Sequence, residues 1–416
     1  MNEGCIPTKT LLASGEVLNL VRAKAHKFGV RGIDPDEIIF DLGAAIQRKD
    51  KIVQDIIDGI YRNLEQNKGI EFLTGRAKFN SPVDIQVDGK TITAEKTILA
   101  VGSRQSIPNI PGLDEGGYIT NDEALQLREL PQSMIVIGAG YVGVEFAQMY
   151  SRFGTQVTLL GRAPRVMPKE EPELSELLGD ILIAEGIDLH TSTEVIRAGK
   201  ENGQSFVMAK SGDAEQKFVA DEILVATGRI ARADDLGLDE SGIEMDGAYI
   251  KTDSQLQTTA SNIWSLGDAN GGPMFTHRAT YDGPIAALNA VNGADRRVDY
   301  RVVPRAVFTE PSLASVGLTE EEAHATGAEV KIGKAFFRNS GRAKAIEQRD
   351  GVAKVIVNDE TKEILGAHIL GAHADILIHE VVSAMHGAGT TDRLTKSIHI
   401  HPTLSELVKD AAKAAR

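Results

Sequence analysis

Apolar residues in the first part of the chain recur three or four positions apart, which is the spacing of an amphipathic helix. One such stripe follows Pro7 and a longer one runs from Leu42 to Leu64, so two helices are predicted here. The pattern then changes to short alternating runs. Segment 84–93 (DIQVDGKTIT) predicts a β-hairpin that turns at Asp88-Gly89.

A short apolar run followed by a turn of small residues occurs three times. The three segments are 96–103 (KTILAVGS), 222–230 (EILVATGRI) and 262–272 (NIWSLGDANGG). Each predicts a strand that ends in a glycine turn, and the strand at 96–103 is expected to be buried. Their repetition favours several sheets of the dinucleotide-binding type. Farther along, strand patterns at 352–357 and 363–371, with later helices, predict a separate α+β domain.

Gly138, Gly140 and Gly143 form the pattern GxGxxG between two apolar runs, Met134–Ile137 and Gln156–Leu160. Strand, glycine loop, helix and strand in this order predict a dinucleotide-binding unit. The first glycine allows the turn, the second lets the backbone approach a pyrophosphate, and the third lets the helix pack closely on the sheet. The helix N-terminus then faces the phosphate charge. A packing loop without a ligand is the alternative.

The residues after the second strand bear on the choice of nucleotide. A site that prefers NAD carries Asp or Glu about 20 residues after the glycine loop, where it binds the ribose hydroxyl. This chain has Gly161 there, followed by Arg162 and Arg165. Two guanidinium groups suit a 2′-phosphate, which favours NADPH over NADH. A solvated loop face is the alternative role for the two arginines.

Composition and charge limit the remaining possibilities. At 416 residues the chain is long enough for two or three domains. A net charge of −14 argues against nucleic acid or an anionic membrane as the main partner, and no apolar run approaches the ~20 residues of a membrane span. The single cysteine, Cys5, excludes a disulfide within the chain and suits a reducing compartment, so a cytoplasmic location is expected. No metal site is predicted.

Four motifs follow one another along the chain: GCIPTK at 4–9, GAGYVGVE at 138–145, SLGDANGGPM at 265–274 and HPTLSE at 401–406. They resemble, in turn, the redox-disulfide, nicotinamide-nucleotide, flavin and C-terminal active-site motifs of the FAD-dependent pyridine-nucleotide disulfide oxidoreductases. This is the homodimeric family of dihydrolipoamide dehydrogenase, glutathione reductase and mercuric reductase. The resemblance implies an α/β fold with two nested Rossmann-like dinucleotide-binding domains, the first incomplete, and a C-terminal α+β dimerisation domain.

The resemblance also implies domain limits and an activity. An FAD-binding domain would span 1–112 with 245–300, an NAD(P)H-binding domain 113–244, and a dimerisation domain 301–416. The implied activity passes electrons between NAD(P)H, FAD and a Cys-x4-Cys redox disulfide to a dithiol/disulfide substrate. The expected partners are that substrate, as a small molecule or a lipoyl domain, and a second copy of the chain.

Residues in two of the motifs would lie beside the flavin. By resemblance, Cys5 is the cysteine that makes the charge-transfer contact, and its place just before a helix favours the thiolate. Lys9 pairs with Glu145 near the reactive nitrogen of the flavin, and Tyr141 covers the flavin until nicotinamide displaces it. The alternatives are an inert buried cysteine, a surface lysine, a first-turn acid favoured by the helix dipole, and a packing tyrosine.

The third motif would contribute to the flavin site. By resemblance, the carboxylate of Asp268 hydrogen-bonds the sugar-alcohol chain of the flavin. A turn aspartate bound to its own backbone is the alternative. Glycines of the three strand-and-turn segments, Gly102, Gly228 and Gly267, complete the predicted cofactor-binding residues.

HPTLSE would carry the proton chemistry. Disulfide exchange needs a base that converts a thiol to a thiolate and later returns the proton, and histidine suits this role. By resemblance, His401 acts across the dimer interface over the cysteine pair of the second copy, and Glu406 orients it. Thr403 and Glu406 also fit a capping box before the last helix. The two roles of Glu406 are compatible, and His399 is a weaker candidate.

The motifs differ in which branch of the family they favour. HPTLSE favours a dihydrolipoamide dehydrogenase-like enzyme, whereas mercuric reductases use a cysteine pair near the C-terminus and none follows Cys5 here. Gly161 and Arg162 depart from the NAD-using dihydrolipoamide enzyme and admit a glutathione reductase-like or other NADPH-dependent reductase. A mercuric reductase-like enzyme, and a catalytically inactive nucleotide-binding fragment or scaffold, remain alternatives.

The first motif raises a question about the start of the sequence. The family's redox motif has two cysteines, and the second matches Cys5, so the first would precede Met1. The flavin's own GxGxxG unit would lie farther upstream. We expect the 416-residue chain alone to bind FAD poorly and to be impaired in transfer from NAD(P)H to disulfide.

Overall fold

The computed structural model describes residues 2–387 and 389–415 and has an α/β fold. The expectation about the first cysteine falls on Met1 and the positions before it, which lie outside the described residues. The described helices include none that is both long and apolar enough to span a membrane.

The helices and strands are numbered in chain order. The α-helices are α1 (Cys5–Asn19), α2 (Leu42–Gln66), α3 (Leu113–Gly116), α4 (Asn121–Ala124), α5 (Tyr141–Phe153), α6 (Pro172–Ala184), α7 (Leu238–Ser241), α8 (Thr276–Asn292), α9 (Glu320–Ala325), α10 (Gly341–Ala345), α11 (Ala374–His386), α12 (Asp392–Thr395) and α13 (Ser405–Ala414). The strands are β1 (Ala77–Phe79), β2 (Asp84–Val87), β3 (Lys90–Thr93), β4 (Thr97–Leu99), β5 (Ser103–Gln105), β6 (Ser133–Ile137), β7 (Gln156–Leu160), β8 (Asp188–His190), β9 (Glu194–Glu201), β10 (Gln204–Ser211), β11 (Ala214–Ala220), β12 (Glu222–Val225), β13 (Arg229–Ala231), β14 (Met245–Asp246), β15 (Tyr249–Ile250), β16 (Ile263–Ser265), β17 (Arg305–Val307), β18 (Ser312–Gly317), β19 (Val330–Phe336), β20 (Val352–Asn358) and β21 (Ile364–Gly371).

The chain divides into two compact units. The first unit contains the residues up to Gln54, Ile107–Thr227 and the residues from Val302 onward. The second unit contains Asp55–Ser106 and Gly228–Arg301. The division into three domains predicted from the sequence stays a prediction.

A parallel sheet in the first unit has the strand order β12-β6-β7-β8. Strand β6 lies between β12 and β7 in this sheet, and its residues Met134 to Ile137 are buried. They are consecutive apolar residues, as expected for a parallel strand that is covered on both faces. Helix α5 makes the crossover from β6 to β7, so its N-terminus lies at the carboxyl end of β6. The predicted order of strand, glycine loop, helix and strand is confirmed.

The first unit also contains an antiparallel sheet of order β17-β18-β21-β20-β19. Helices α11 and α13 pack against it, and their apolar residues form one core with those of the sheet. Here apolar strand residues such as Val355 and Ile369 meet helix residues such as Val381 and Val408. The α+β region predicted for the end of the chain is confirmed.

The second unit contains a parallel pair of strands, β4 and β16, in which Ile98 is opposite Trp264. The hairpin β2–β3 turns at Asp88 and Gly89, which have φ of 45° and 87°, as the sequence predicts. Segment 96–103 forms β4 and runs into a turn after Leu99, as expected, but the expectation that this strand is buried is wrong in part, because Ile98 is 38% exposed.

Candidate nucleotide and redox sites

The glycine loop joins β6 to α5 in the first unit. Gly138 has φ of 112°, and a Cβ there would lie 2.4 Å from the carbonyl oxygen of Ala226. A Cβ on Gly143 would lie 1.7 Å from the carbonyl oxygen of Gly138, so the helix approaches the loop only with glycine at this position. A Cβ on Gly140, directly before the helix, would point into open space. The loop therefore fits a pyrophosphate, since it is open in front of the helix N-terminus.

Segment 161–170 follows β7 and is fixed to its neighbours through the backbone. The N–H of Gly161 donates to the carbonyl of His190 at 2.8 Å, and the N–H of Met167 donates to the carbonyl of Ala139 at 2.8 Å. A Cβ on Gly161 would lie 2.9 Å from the Cβ of Ala139, in the glycine loop. A side chain at this position would therefore require the glycine loop to shift at Ala139.

The two arginines predicted to bind nucleotide belong to this segment. Arg162 is exposed and Arg165 is half-buried. The Nε of Arg165 is buried and has no hydrogen-bond partner within residues 2–387 and 389–415. A buried donor without a partner is costly, so an anionic ligand that reached this atom would gain a hydrogen bond at little further desolvation cost.

Tyr141 is the first residue of α5. Its hydroxyl donates a hydrogen bond to the carboxylate of Glu170, and burial and this negative charge raise the pKa of Tyr141. The side chain of Glu170 is 1% exposed and pairs with Arg305, whose Nε lies 2.9 Å from Oε1. The tyrosine thus faces a buried charged pair that spacing in the sequence does not indicate.

Cys5 and Lys9 lie on α1, which begins at Cys5. The Nζ of Lys9 lies 2.9 and 2.8 Å from the two carboxylate oxygens of Glu145. The side chain of Glu145 is 5% exposed and also accepts a hydrogen bond from the N–H of Phe308 at 2.9 Å. The structure therefore brings together the lysine and the acid that the resemblance pairs. The inert buried cysteine and the first-turn acid are wrong, because Cys5 is exposed and Glu145 lies in the second turn of α5.

Three polar residues along one face of α5 bind the segment around β17. Beyond Glu145, the side chain of Gln148 donates to the carbonyl of Glu310 at 2.9 Å and accepts from its N–H at 2.8 Å. One turn later, Arg152 Nη1 lies 2.7 Å from the carboxylate of Glu310. The helix that follows the glycine loop is therefore joined along its length to residues 308–310.

His401 and Glu406 form a pair near the start of α13. The Nδ1 of His401 lies 3.0 and 3.2 Å from the two carboxylate oxygens of Glu406, and the imidazole is 82% exposed. Glu406 accepts the N–H of Thr403 at 3.0 Å, and this bond together with His401 lowers the pKa of Glu406. The Thr403 hydroxyl donates to Ile400 instead, so only the glutamate half of the predicted capping box forms. The contact with Glu406 makes Nδ1 the donor and leaves Nε2 to act as a base.

In the second unit, the flavin motif lies at the carboxyl end of the parallel pair β4–β16. Asp268 accepts a hydrogen bond from the hydroxyl of Ser103 at 2.6 Å, and that hydroxyl accepts from Arg229 Nε at 2.7 Å. Gly102 and Gly267 both have φ of 68° and form the turns after the two strands. A carboxylate held at the edge where parallel strands end fits a ligand with hydroxyl groups, such as the sugar-alcohol chain of a flavin.

The comparison with known families agrees with these motifs. Residues 1–283 match the model described as pyridine nucleotide-disulphide oxidoreductase, and residues 303–412 match the dimerisation domain of the same family. The chain belongs to this family of oxidoreductases. It is therefore an FAD-dependent NAD(P)H–disulfide oxidoreductase, and the C-terminal match indicates a homodimer.

Relatives of known name cover almost the whole chain. Dihydrolipoyl dehydrogenase of Chlorobaculum tepidum is 37% identical over 420 residues, 99% of this chain and 88% of the relative. Mercuric reductase of Staphylococcus aureus is 34% identical over 413 residues, 99% of this chain and 75% of the relative. Among solved structures, the HOCl-induced flavoprotein disulfide reductase RclA of Escherichia coli is 30% identical with a TM-score of 0.88, covering 100% of this chain and 91% of that one. Membership of the oxidoreductase family supports an enzyme over a non-catalytic scaffold.

Several residues that contact the candidate sites of this oxidoreductase were not predicted. Ser103 and Arg229 orient Asp268, while Glu170 and Arg305 contact Tyr141. Glu170 stands in the run KEEPE, which reads as a solvated charged loop because a buried glutamate is rare. Gly228, which was predicted, accepts the N–H of Ser106 at 2.9 Å in the second unit.

Proposed function

We propose that this oxidoreductase prefers NADPH and reduces a disulfide substrate to the dithiol. The observation that carries the nucleotide preference is the 2.9 Å separation between a Cβ built on Gly161 and the Cβ of Ala139. It disfavours an acidic side chain at the position that selects NADH, because the glycine loop would have to shift, and Arg162 and Arg165 follow at once. Guanidinium groups bind phosphate oxygens with two donors each, so they favour the 2′-phosphate of NADPH.

The nucleotide would bind along the glycine loop. Gly138, Gly140 and Gly143 bring the backbone and the N-terminus of α5 to the pyrophosphate. Tyr141 then stands between two of these glycines and would be displaced by the nicotinamide end of the nucleotide. In this proposal the tyrosine closes the site when nucleotide is absent.

Gly102, Gly267 and Asp268 would hold the flavin, with Ser103 orienting the carboxylate, and Gly228 would complete the cofactor-binding residues. A flavin held there would supply two-electron transfer between the nucleotide and a disulfide. Lys9, fixed by Glu145, would place a positive charge beside the flavin ring. Cys5 would be the thiol next to it, since α1 begins at this residue and its side chain is exposed.

His401 would move the protons. Reduction of a disulfide by NADPH consumes one proton and yields two thiols, so a base must hold and return protons during the exchange. The Nε2 of His401 is available for this because Nδ1 faces Glu406 at 3.0 Å. The exposure of the imidazole, 82%, supports action on Cys5 of a second copy of the chain.

The names of the relatives support a dihydrolipoamide dehydrogenase-like substrate, a disulfide/dithiol couple such as that of a lipoyl group. Mercuric reductase-like activity is the second candidate, favoured by the relative from Staphylococcus aureus. The three predicted domains, 1–112 with 245–300, 113–244 and 301–416, and a cytoplasmic location belong to the same proposal. Parallel assays of lipoamide, glutathione disulfide and mercuric ion distinguish the substrates.

The test of the nucleotide preference is equilibrium binding of NADP⁺ and NAD⁺ by titration calorimetry. The unmodified chain should bind NADP⁺ at least tenfold more tightly, and Arg162→Ala and Arg165→Ala should each lower this ratio about 10-fold, which is the strength of one charged hydrogen-bonded contact. Arg342→Ala, an exposed arginine elsewhere in the first unit, is the control. Equal affinity for the two nucleotides would overturn the proposal, as would arginine variants that weaken both equally.

A further inference from the structure

The hydroxyl of Tyr141 is bound to a carboxylate that belongs to a different part of the first unit. Glu170 lies between β7 and α6, and its side chain is 1% exposed. Tyr141 begins α5 between Gly140 and Gly143, where the phosphates of a nucleotide would meet the helix. The ring therefore cannot leave this position without breaking a buried hydrogen bond.

The carboxylate of Glu170 is paired with a guanidinium group, which favours its charged form. Its oxygens lie 2.9 Å from Nε and 3.4 Å from Nη2 of Arg305, on β17. Burial alone would raise the pKa of Glu170, but Arg305, Ser315 and Tyr141 together bring it below its usual value. A hydrogen bond from a phenol to an ionised, buried carboxylate is roughly twice as strong as one between neutral groups.

We propose that Glu170 and Arg305 form a catch that holds the ring of Tyr141 and sets the cost of nucleotide entry. This inference rests on the proposed role of Tyr141 as a ring that nucleotide displaces. Glu170 acts through the tyrosine and is a positioning residue. Arg305 keeps Glu170 ionised, so the catch joins the nucleotide loop to the first strand of the antiparallel sheet.

The catch predicts that nucleotide affinity rises when one of its residues is changed, which a general loss of structure would not produce. If nucleotide must break the bond between Tyr141 and Glu170, removing either partner strengthens binding. Loss of one charge-assisted hydrogen bond corresponds to about a tenfold change in affinity. A residue that only stabilised the site would, when changed, weaken nucleotide binding instead.

The experiment is a double-mutant cycle on the dissociation constant of NADP⁺, measured by titration calorimetry on the full chain. Tyr141→Phe removes the hydrogen bond and should bind NADP⁺ about tenfold more tightly. Glu170→Gln leaves a weaker, neutral acceptor and should bind about threefold more tightly, and the double variant should match Tyr141→Phe. The control is Glu171→Gln, a neighbouring buried carboxylate that pairs with Lys354 at 2.6 Å. Its affinity for NADP⁺ should equal that of the unmodified chain. Tyr141→Phe keeps the ring and the charged pair, so it remains informative if Glu170→Gln does not fold.

The possible outcomes distinguish a failure of the catch from a failure of the proposed role of Tyr141, on which the catch rests. Tighter binding in Tyr141→Phe with no change in Glu170→Gln, or with additive gains in the double variant, overturns the catch and leaves the role of Tyr141. No change in Tyr141→Phe overturns both the role of Tyr141 and the catch. Weaker binding in either single variant overturns the catch, and absence of NADP⁺ binding by the unmodified chain overturns the proposed function itself.

Discussion

Lys9 and Glu145 join the helix that begins at the only cysteine to the helix that follows the glycine loop, through Nζ–oxygen distances of 2.9 and 2.8 Å. The two side chains differ in exposure, 34% for the lysine and 5% for the glutamate. Because the glutamate is the buried residue of the pair, removing the lysine and removing the glutamate should affect stability differently. Removing the lysine leaves a buried charge, whereas removing the glutamate leaves a cation that water reaches.

Lys9→Met should therefore destabilise the chain more than Glu145→Gln. We expect a loss of about 3 kcal/mol in the free energy of unfolding for Lys9→Met and about 1 kcal/mol for Glu145→Gln. The double variant should be more stable than Lys9→Met alone, since it no longer contains the unpaired buried carboxylate of Glu145. Urea unfolding at pH 7 measures all three. A larger loss for Glu145→Gln than for Lys9→Met would contradict this account.

Gly161→Asp tests the contact with the glycine loop. Its Cβ would lie 2.9 Å from the Cβ of Ala139, so the loop must shift and both NADP⁺ and NAD⁺ should bind about tenfold more weakly. Ala139→Gly combined with Gly161→Asp removes the collision and should bind NAD⁺ in preference to NADP⁺. Calorimetric titration gives the affinities. Gly341→Asp, at a glycine that faces open space, is the control.

We expect the free energy of unfolding to depend on pH through Glu310. Burial would raise the pKa of Glu310, but Arg152, Lys24 and Gln348 lower it to about 2, below the ordinary value of 4.5. The stabilisation is therefore complete above pH 4.5 and is lost as the pH falls toward 2. Between pH 6 and pH 3 the unmodified chain should lose about 2 kcal/mol that Glu310→Gln does not lose.

Chemical denaturation at a series of pH values measures this difference. Glu321→Gln, an exposed glutamate on α9, should follow the unmodified chain at every pH. Parallel curves for Glu310→Gln and the unmodified chain across this range would show that Glu310 is not the group responsible.

The proposed role of His401 can be tested through the reactivity of the single cysteine, Cys5. If Nε2 acts as a base on Cys5 of a second copy, His401→Gln should slow the reaction of Cys5 with an aromatic disulfide reagent at pH 7 by about 100-fold. Glu406→Gln should slow it less, because the amide oxygen of glutamine can still accept the N–H of Thr403 and keep the segment in place. His324→Gln, an exposed histidine on α9, is the control. Unchanged rates in His401→Gln would exclude this role, and the single thiol makes the readout unambiguous.

The sequence predicts those parts of the protein that depend on neighbouring residues. The glycine loop of Gly138 to Gly143, the hairpin at Asp88 and the late α+β region follow from local spacing and apolar pattern. The pairing of Lys9 with Glu145 came from a family resemblance, because 136 residues separate them and no periodicity links them.

The contacts of Tyr141 could not be predicted in either way. Glu170 and Arg305 are 135 residues apart, and a charged run next to a proline is normally solvated. Only the packing of β17 against the segment before α6 turns this glutamate into a buried acceptor. Ser103 was missed for a similar reason, since its hydroxyl meets Asp268 only where two parallel strands end together.

The polar face of α5 has a mechanical consequence. Phe308 and Glu310, which follow β17 directly, hold this helix at Glu145, Gln148 and Arg152, which are spaced over two turns. A tilt or slide of the helix would therefore break these contacts or displace the segment that continues β17. The same strand is the edge of the five-stranded sheet that forms the dimerisation domain. A displacement of this edge strand would therefore also reach the N-terminus of α5, beside the glycine loop where nucleotide would bind.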